Sequence, residues 1–256
     1  MATQLKVDPD RSSRWSPEER ALREQLAAAY RIVAHFGWDD RTGTHISVRL
    51  PGPEHHFLIN PYGYMFEEVT ASSLVKIDLE GRPLEDTPYK VNPAGFTIHS
   101  AVHRARADAL CVLHLHTRAG CAVAAQEGGL LPIHVYSILL QGRVGYHPFE
   151  GVAVNPDEQP RIVANLGRND ALILRNHGTL TVGNSIAVAF NWAYWLERAC
   201  QIQIDAQAGG GALTMYDEQL ASHMHNQMAD NFSGFADMAW QALVRKMDRI
   251  DPSYKE

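Results

Sequence analysis

The chain has 256 residues, 45% of them hydrophobic and 20% charged, with a formal net charge of −6, which suits one large soluble domain with a real core. The acidic balance and the lack of a basic run argue against nucleic acid or an anionic membrane surface as the main partner. No apolar run reaches the ~18 residues of a membrane span, residues 1–14 lack the apolar centre of a secretion signal, and Cys111, Cys121 and Cys200 form no CxxC pair, so free thiols and a cytoplasmic location are expected.

Residues 1–15 read as a flexible N-terminal arm. A helix then starts sharply: Ser16 as N-cap, Pro17 at the first position and Glu19 three residues on form a capping box. Leu22, Leu26, Ala29, Tyr30 and Val33 give that helix one apolar face, and Gly37 stops it. Strands are expected at 44–50, 56–59 and 75–79, separated by Pro, Gly and Asn turns. A helix at 96–106 leads to a strand at 109–116, then a small-residue helix at 118–126 and a short strand opening at Val144. A helix at 159–166, strands at 171–175 and 179–182, and a long helix capped by Asn184 complete residues 16–208. Gly209, Gly210 and Gly211 break that helix, and 209–256 is expected to be a helical tail packed on the domain or on a neighbouring subunit. Phe190, Trp192, Tyr194 and Trp195 are spaced as core or subunit interface. Mixed strands within a helical frame indicate a single α/β domain.

The most informative stretch is His114-Leu115-His116, at the end of the apolar run 110–113. Side chains at i and i+2 of a strand share a face, so two imidazoles are presented together. A second strand end carries a third histidine, His177, followed by Gly178. With 13 histidines in the chain a chance pair is a serious alternative, but a third strand-end histidine favours a metal site. Three neutral imidazoles with open positions are the donor set of a catalytic ion, and zinc, manganese and iron(II) all fit it.

The motifs Gly43-Thr44-His45-Ile46-Ser47-Val48-Arg49, Asn60-Pro61-Tyr62-Gly63, Val69-Thr70-Ala71-Ser72-Ser73-Leu74, 92–100, 112–117 and Arg175-Asn176-His177-Gly178 occur in one order over about residues 15–208. Together they resemble the class II aldolase/adducin superfamily, closer to the adducin head and its bacterial relatives than to sugar-phosphate aldolases. The resemblance implies a three-layer α/β/α domain on a central, mostly antiparallel sheet. It also implies a homotetramer with sites at subunit interfaces, and one divalent ion per chain, zinc first, on His114, His116 and His177. By motif position Asn60, Gly63 and Gly95 lie with the substrate. Tyr136 corresponds to a tyrosine that donates a proton across the interface, with His134 on its face if that segment is extended, and His45 enters the pocket.

Two departures qualify the resemblance. The aldolases place an acid/base glutamate where this chain has Gly95, and phosphate-holding groups where it has His45, Pro93 and Ala94. Proline lacks the amide N–H and alanine the hydroxyl that a phosphate needs. The expected activity is therefore a metal-dependent lyase, by retro-aldol cleavage or decarboxylation through a stabilised enolate, on a small, non-phosphorylated hydroxy- or keto-carbonyl compound. Proton transfer would fall to Tyr136, His134, His45 or water. The alternatives are an adducin-head-like assembly module, against which stands the expectation that no long basic tail follows the head, and an iron(II)-dependent oxygenase. Among individual residues, His99 is expected to be structural near the metal, His103 and Glu67 and Glu68 solvated, and Asn60 and Ser72 turn and cap residues.

Overall fold

A computed structural model describes residues 14–152, 155–228 and 232–256; the expected arm at 1–15 falls almost wholly outside them. The elements are α1 (Pro17–His35), β1 (His45–Arg49), β2 (Phe57–Ile59), β3 (Val75–Ile77), α2 (Pro93–Ala105), β4 (Cys111–Leu115), α3 (Arg118–Ala124), α4 (Val135–Leu139), β5 (Val144–His147), α5 (Gln159–Leu166), β6 (Ala171–Leu174), β7 (Gly178–Gly183), α6 (Ile186–Ala208), α7 (Glu218–Met228) and α8 (Phe232–Ile250). The strands form one seven-stranded sheet in the order β3-β2-β1-β4-β7-β6-β5. Every pairing is antiparallel except β5 with β6.

Period-two alternation splits the central strands between two cores. Ile46, Val48, Cys111, Leu113 and Leu115 point to one face, where α1, α6 and α8 cover them with Leu26, Tyr30, Val33, Phe190, Trp240 and Met247. Val112, Leu172, Leu174, Leu180 and Val182 point to the other, against Ile98 and Val102 of α2 and Ile162 and Leu166 of α5. The result is helix layer, sheet, helix layer. Each fully buried aliphatic side chain in these layers contributes about 1.5–3 kcal/mol.

Local signals set the element ends. The Ser16 hydroxyl accepts the Glu19 N–H at 3.1 Å, with Pro17 at the start of α1. The other half of the expected capping box does not form, because the Glu19 carboxylate is drawn to stronger partners: Arg23 at 2.8 Å and Lys76 at 2.8 Å. Arg23 is fully buried, and its guanidinium also donates to the Leu74 carbonyl at 3.0 Å and to Glu85 at 3.2 Å, tying α1 to β3's approach. The cap of α6 is Ser185, one residue beyond the expected Asn184; its hydroxyl accepts the Val188 N–H at 3.1 Å. The described residues of 209–256 hold two helices and a final 3-10 turn at Pro252–Lys255. Trp240, Val244 and Met247 of α8 belong to the same core as α1 and α6.

Candidate metal centre

His114 lies in β4 and points to the α2 side, on the opposite face from Leu113 and Leu115. His116 follows the strand, just before Thr117 caps α3. His177 sits in the turn between β6 and β7, where Asn176 takes the left-handed conformation at φ 55°. Pairing of β4 with β7 places Leu115 against Thr179 and so brings the turn to the histidine pair. Gly178 permits this approach: a Cβ there would lie 2.5 Å from the Leu115 carbonyl oxygen and 2.9 Å from His116 Cδ2. The three rings stand 4.7–4.8 Å apart, centroid to centroid. One donor nitrogen from each lies within 4.8 Å of the others.

The hydrogen bonds behind the rings decide which nitrogens face inward. His114 Nδ1 is 3.0 Å from the Thr179 carbonyl oxygen, and His116 Nδ1 is 3.0 Å from Asp40 Oδ2. A carbonyl and a carboxylate oxygen accept, so each Nδ1 carries the N–H and each ring turns its Nε2 inward. Those two Nε2 atoms are 3.0 Å apart. Two lone pairs at that distance repel unless a cation or proton lies between them. The donor set therefore fits a divalent ion, and the backing by a carbonyl and a carboxylate is the arrangement that orients metal-binding imidazoles. Burial, reinforced by the neighbouring rings, holds His114 well below the ordinary imidazole pKa. Burial, then His116 and His147, lowers His177 to about 4. Both are thus neutral at pH 7, as metal ligands must be.

Further buried polar groups near the triad pair with one another. Thr117 Oγ1 donates to the buried Glu197, which also accepts the Gly120 N–H at 3.2 Å. Burial raises the Glu197 pKa. His147 donates from Nε2 to Glu158 at 3.0 Å while its Nδ1 accepts from Asn165 at 2.8 Å. Phe149 is exposed, with its ring 6.4 Å from that of His177.

Residues 24–204 match the family model described as "Class II Aldolase and Adducin N-terminal domain". The chain belongs to the class II aldolase/adducin family. A solved structure of an aldolase II superfamily protein from Pseudomonas syringae superposes with a TM-score of 0.91, at 46% identity, over 96% of this chain and 99% of that one. L-fuculose 1-phosphate aldolase from Glaciozyma antarctica superposes with a TM-score of 0.82, at 31% identity, over 93% of each chain. Rat alpha-adducin is 46% identical over 247 residues, 91% of this chain but only 34% of the adducin. The α/β architecture with its single, mostly antiparallel sheet is that of the aldolase II superfamily.

Among the other residues singled out from the family motifs, His45 joins the triad's neighbourhood, its ring 5.0 Å from that of His114. Gly95, at the start of α2, faces it: a Cβ on residue 95 would lie 2.7 Å from His45 Cδ2. Asn60 is not a simple turn residue. Its Oδ1 is 2.8 Å from the Tyr30 hydroxyl, which accepts the Asn60 and Ile46 N–H groups at 3.1 and 2.8 Å, so it locks β1 and β2 to α1. Gly63 is exposed, in a turn at φ 93°. His134 is not on an extended segment with Tyr136. It caps the five-residue helix α4, where its Nδ1 accepts the Tyr136 N–H at 3.3 Å. Among the described residues the rings that touch Tyr136 are His134, Tyr194 and Trp195, the last stacked at 5.9 Å. Tyr136 thus lines a cavity of about 520 Å³ between α6 and α8.

His103 corrects the sequence expectation outright: it is 2% exposed, not solvated. The inner face of α2 carries it onto β1, where Ser47 and the Ala109 carbonyl satisfy both ring nitrogens. Asp40 was not anticipated at all. It comes from the irregular loop after α1, which has no periodicity to mark it, and only the fold shows that it backs His116. Glu67 and Glu68 are exposed, as expected.

Proposed function

We propose that this chain is a divalent-metal-dependent lyase that breaks a carbon–carbon bond beside a carbonyl, by retro-aldol cleavage or decarboxylation. The observation that carries the reading is the pair of bare Nε2 atoms on His114 and His116, 3.0 Å apart, each fixed from behind, with His177 closing the triangle. These three residues would hold the ion, with zinc as the first candidate. Bound there, it supplies electrophilic stabilisation for negative charge that develops beside a carbonyl. Asp40 and the Thr179 carbonyl keep the rings oriented for it.

The substrate in this reading is a small hydroxy- or keto-carbonyl compound without a phosphate. Pro93 stands at the first position of α2 and offers no amide hydrogen, and the His45 ring fills the space beside Gly95. The proton donor is Tyr136, supplied from a neighbouring subunit of a homotetramer. Its ring is held on the Trp195 wall of its own chain, facing a cavity rather than its own histidines. A phenol hydroxyl can donate a proton or a hydrogen bond to an alkoxide that develops in the transition state. His134 and His45 are the other groups placed for proton transfer. A cytoplasmic setting agrees with three free cysteines; among the described residues no helix is long and apolar enough to cross a membrane.

The identity with alpha-adducin favours a second reading, a non-catalytic assembly module, and elemental analysis separates the two. The lyase reading expects about one ion per chain, lost in His114→Ala/His116→Ala. A protein purified and reconstituted without metal would leave the assembly module. Tyr136→Phe should lower kcat and leave metal content and oligomeric state unchanged, while turnover of L-fuculose 1-phosphate at ordinary aldolase rates would refute the non-phosphorylated substrate. Iron as the native ion, with oxygen consumed on turnover, would point to an oxygenase instead.

A further inference from the structure

Beside the triad, on the α2 side of the sheet, stands a second group of histidines: His45, His99 and His103, joined through Ser47. His103 Nδ1 is 2.9 Å from the Ala109 carbonyl oxygen. A carbonyl only accepts, so that nitrogen carries the hydrogen. All three rings are buried, 1–3% exposed, and bond to one another, to Ser47 and to the Ala109 carbonyl rather than to a carboxylate, a setting that disfavours a charged imidazole. Each ring is therefore neutral at pH 7 and has a single N–H.

The direction of every bond in the chain follows. His103 Nε2 is bare, so the Ser47 hydroxyl, 2.7 Å away, donates to it. With its one hydrogen committed, Ser47 Oγ accepts from His99 Nδ1. His99 Nε2 is then bare and accepts from His45 Nδ1 at 2.8 Å. One carbonyl thus orders four hydrogen bonds in sequence, and the last ring, His45, ends with Nε2 bare. Among the described residues that nitrogen has no hydrogen-bond partner.

The place of His45 is equally constrained. It is the register partner of His114 across β1 and β4, on the same face of the sheet. A Cβ on residue 95 would lie 2.7 Å from its Cδ2 and 3.1 Å from its Nε2. The ring is held by its hydrogen bond and cannot swing clear cheaply, so His45 occupies the entry that a side chain at 95 would need.

We propose that His45 is a specificity-determining residue of the three-histidine site. Its bare Nε2 accepts a hydrogen bond from a hydroxyl on the bound ligand, and His99, Ser47 and His103 are the positioning residues that fix its tautomer. The ligand class is a carbonyl or carboxylate compound with a free hydroxyl on the adjacent carbon, bound in preference to its O-alkylated counterpart. The ligand half of this proposal rests on the metal-dependent reading of the site; the tautomer half does not.

Two measurements on the full-length protein test it. Long-range proton–nitrogen NMR of protein labelled with ¹⁵N-histidine reads the tautomers directly. His45, His99 and His103 should all be Nδ1–H, and Ser47→Ala should let His99 reverse and move His45 to Nε2–H. An Nε2–H on His45 in the parent overturns the proposal whatever the metal content. Zinc-loaded protein is then titrated with glycolate and with methoxyacetate, which lacks the donor hydrogen. One net hydrogen bond predicts a preference for glycolate of about fivefold, abolished in His45→Ala. Equal binding by the parent, or a preference that survives in His45→Ala, overturns the proposal. Ordered tautomers in a protein that takes up no zinc would overturn the metal reading of the site and with it the ligand half. For the shared volume, Gly95→Ala should lower Tm in the parent and much less in a His45→Ala background; equal losses would refute the contact.

Discussion

The two faces of β1 and β4 are made from the same ten residues and obey different physics. Ile46, Val48, Cys111, Leu113 and Leu115 face α1, α6 and α8 in a dry core where shape and area suffice. His45, Ser47 and His114 face the other way and are just as buried, yet each must find hydrogen-bond partners. One face tolerates exchange among aliphatic side chains of similar size. The other is a directed network in which an unpaired group costs about 1–3 kcal/mol. A strand that alternates between the two ties the candidate site rigidly to the core of the domain.

Substitutions on the two sides should therefore fail in different ways. The largest contrast is Leu113→Ala against His177→Ala. The first removes a side chain that is 1% exposed and should cost about 2–5 kcal/mol by urea unfolding, with metal stoichiometry unchanged. The second should leave stability within about 1 kcal/mol, because His177 is half-buried, and weaken zinc binding by a hundredfold or more, on the order of a lost ligand. If Leu113→Ala lost the metal while remaining folded, the separation between the faces would be broken. Asp40→Asn comes next: it keeps the shape but weakens the backing of His116, and should lower zinc affinity about 10–100-fold in chelator competition.

A gentler perturbation acts on all the buried rings together. In the metal-free protein the folded-state pKa values of His45, His99, His103, His114 and His177 all lie below the free imidazole value of 6.5, His177 at about 4 and His103 at about 3. Between those limits the unfolded chain binds more protons than the folded one, so stability should fall as pH drops below 6.5 and keep falling toward 3. Zinc should raise stability at pH 7 and hold the ligands unprotonated, so that the loss still begins near 6.5, where the unfolded chain takes up protons, and continues further below the metal-free values. A flat stability profile from pH 7 to pH 4 would contradict the neutral, buried rings. The smallest expected effect is Glu67→Ala, on an exposed residue away from both faces, within about 0.5 kcal/mol and without change in metal binding.

The same contrast explains what could be read before the fold was in view. The apolar face announces itself by periodicity, so α1, β4, β6 and α6 appear close to their true bounds, and the His-x-His pair with a third strand-end histidine points at the triad. The polar face has no such signal. His99 and His103 share a side of α2 by spacing, but the partner that buries them, Ser47, lies some fifty residues earlier and meets them only across the sheet. Asp40 is equally remote from His116 in sequence. Asn60 reads as a turn residue because the Tyr30 hydroxyl that claims it comes from another element. The short helix α4 is missed because five residues carry too little periodicity to distinguish a turn of helix from an extended segment.

The turn that carries His177 has a consequence for how the protein folds. His114 and His116 are neighbours in the chain and can meet an ion as soon as β4 is extended. His177 lies about sixty residues further on and arrives only when β7 has zipped onto β4. Such a long-range pairing closes late, because the loop entropy is spent before the contact forms. Metal uptake during refolding should thus have two stages, weak capture by the local pair and tight binding with the β4–β7 pairing. The ion becomes a clock for the moment the two halves of the sheet join.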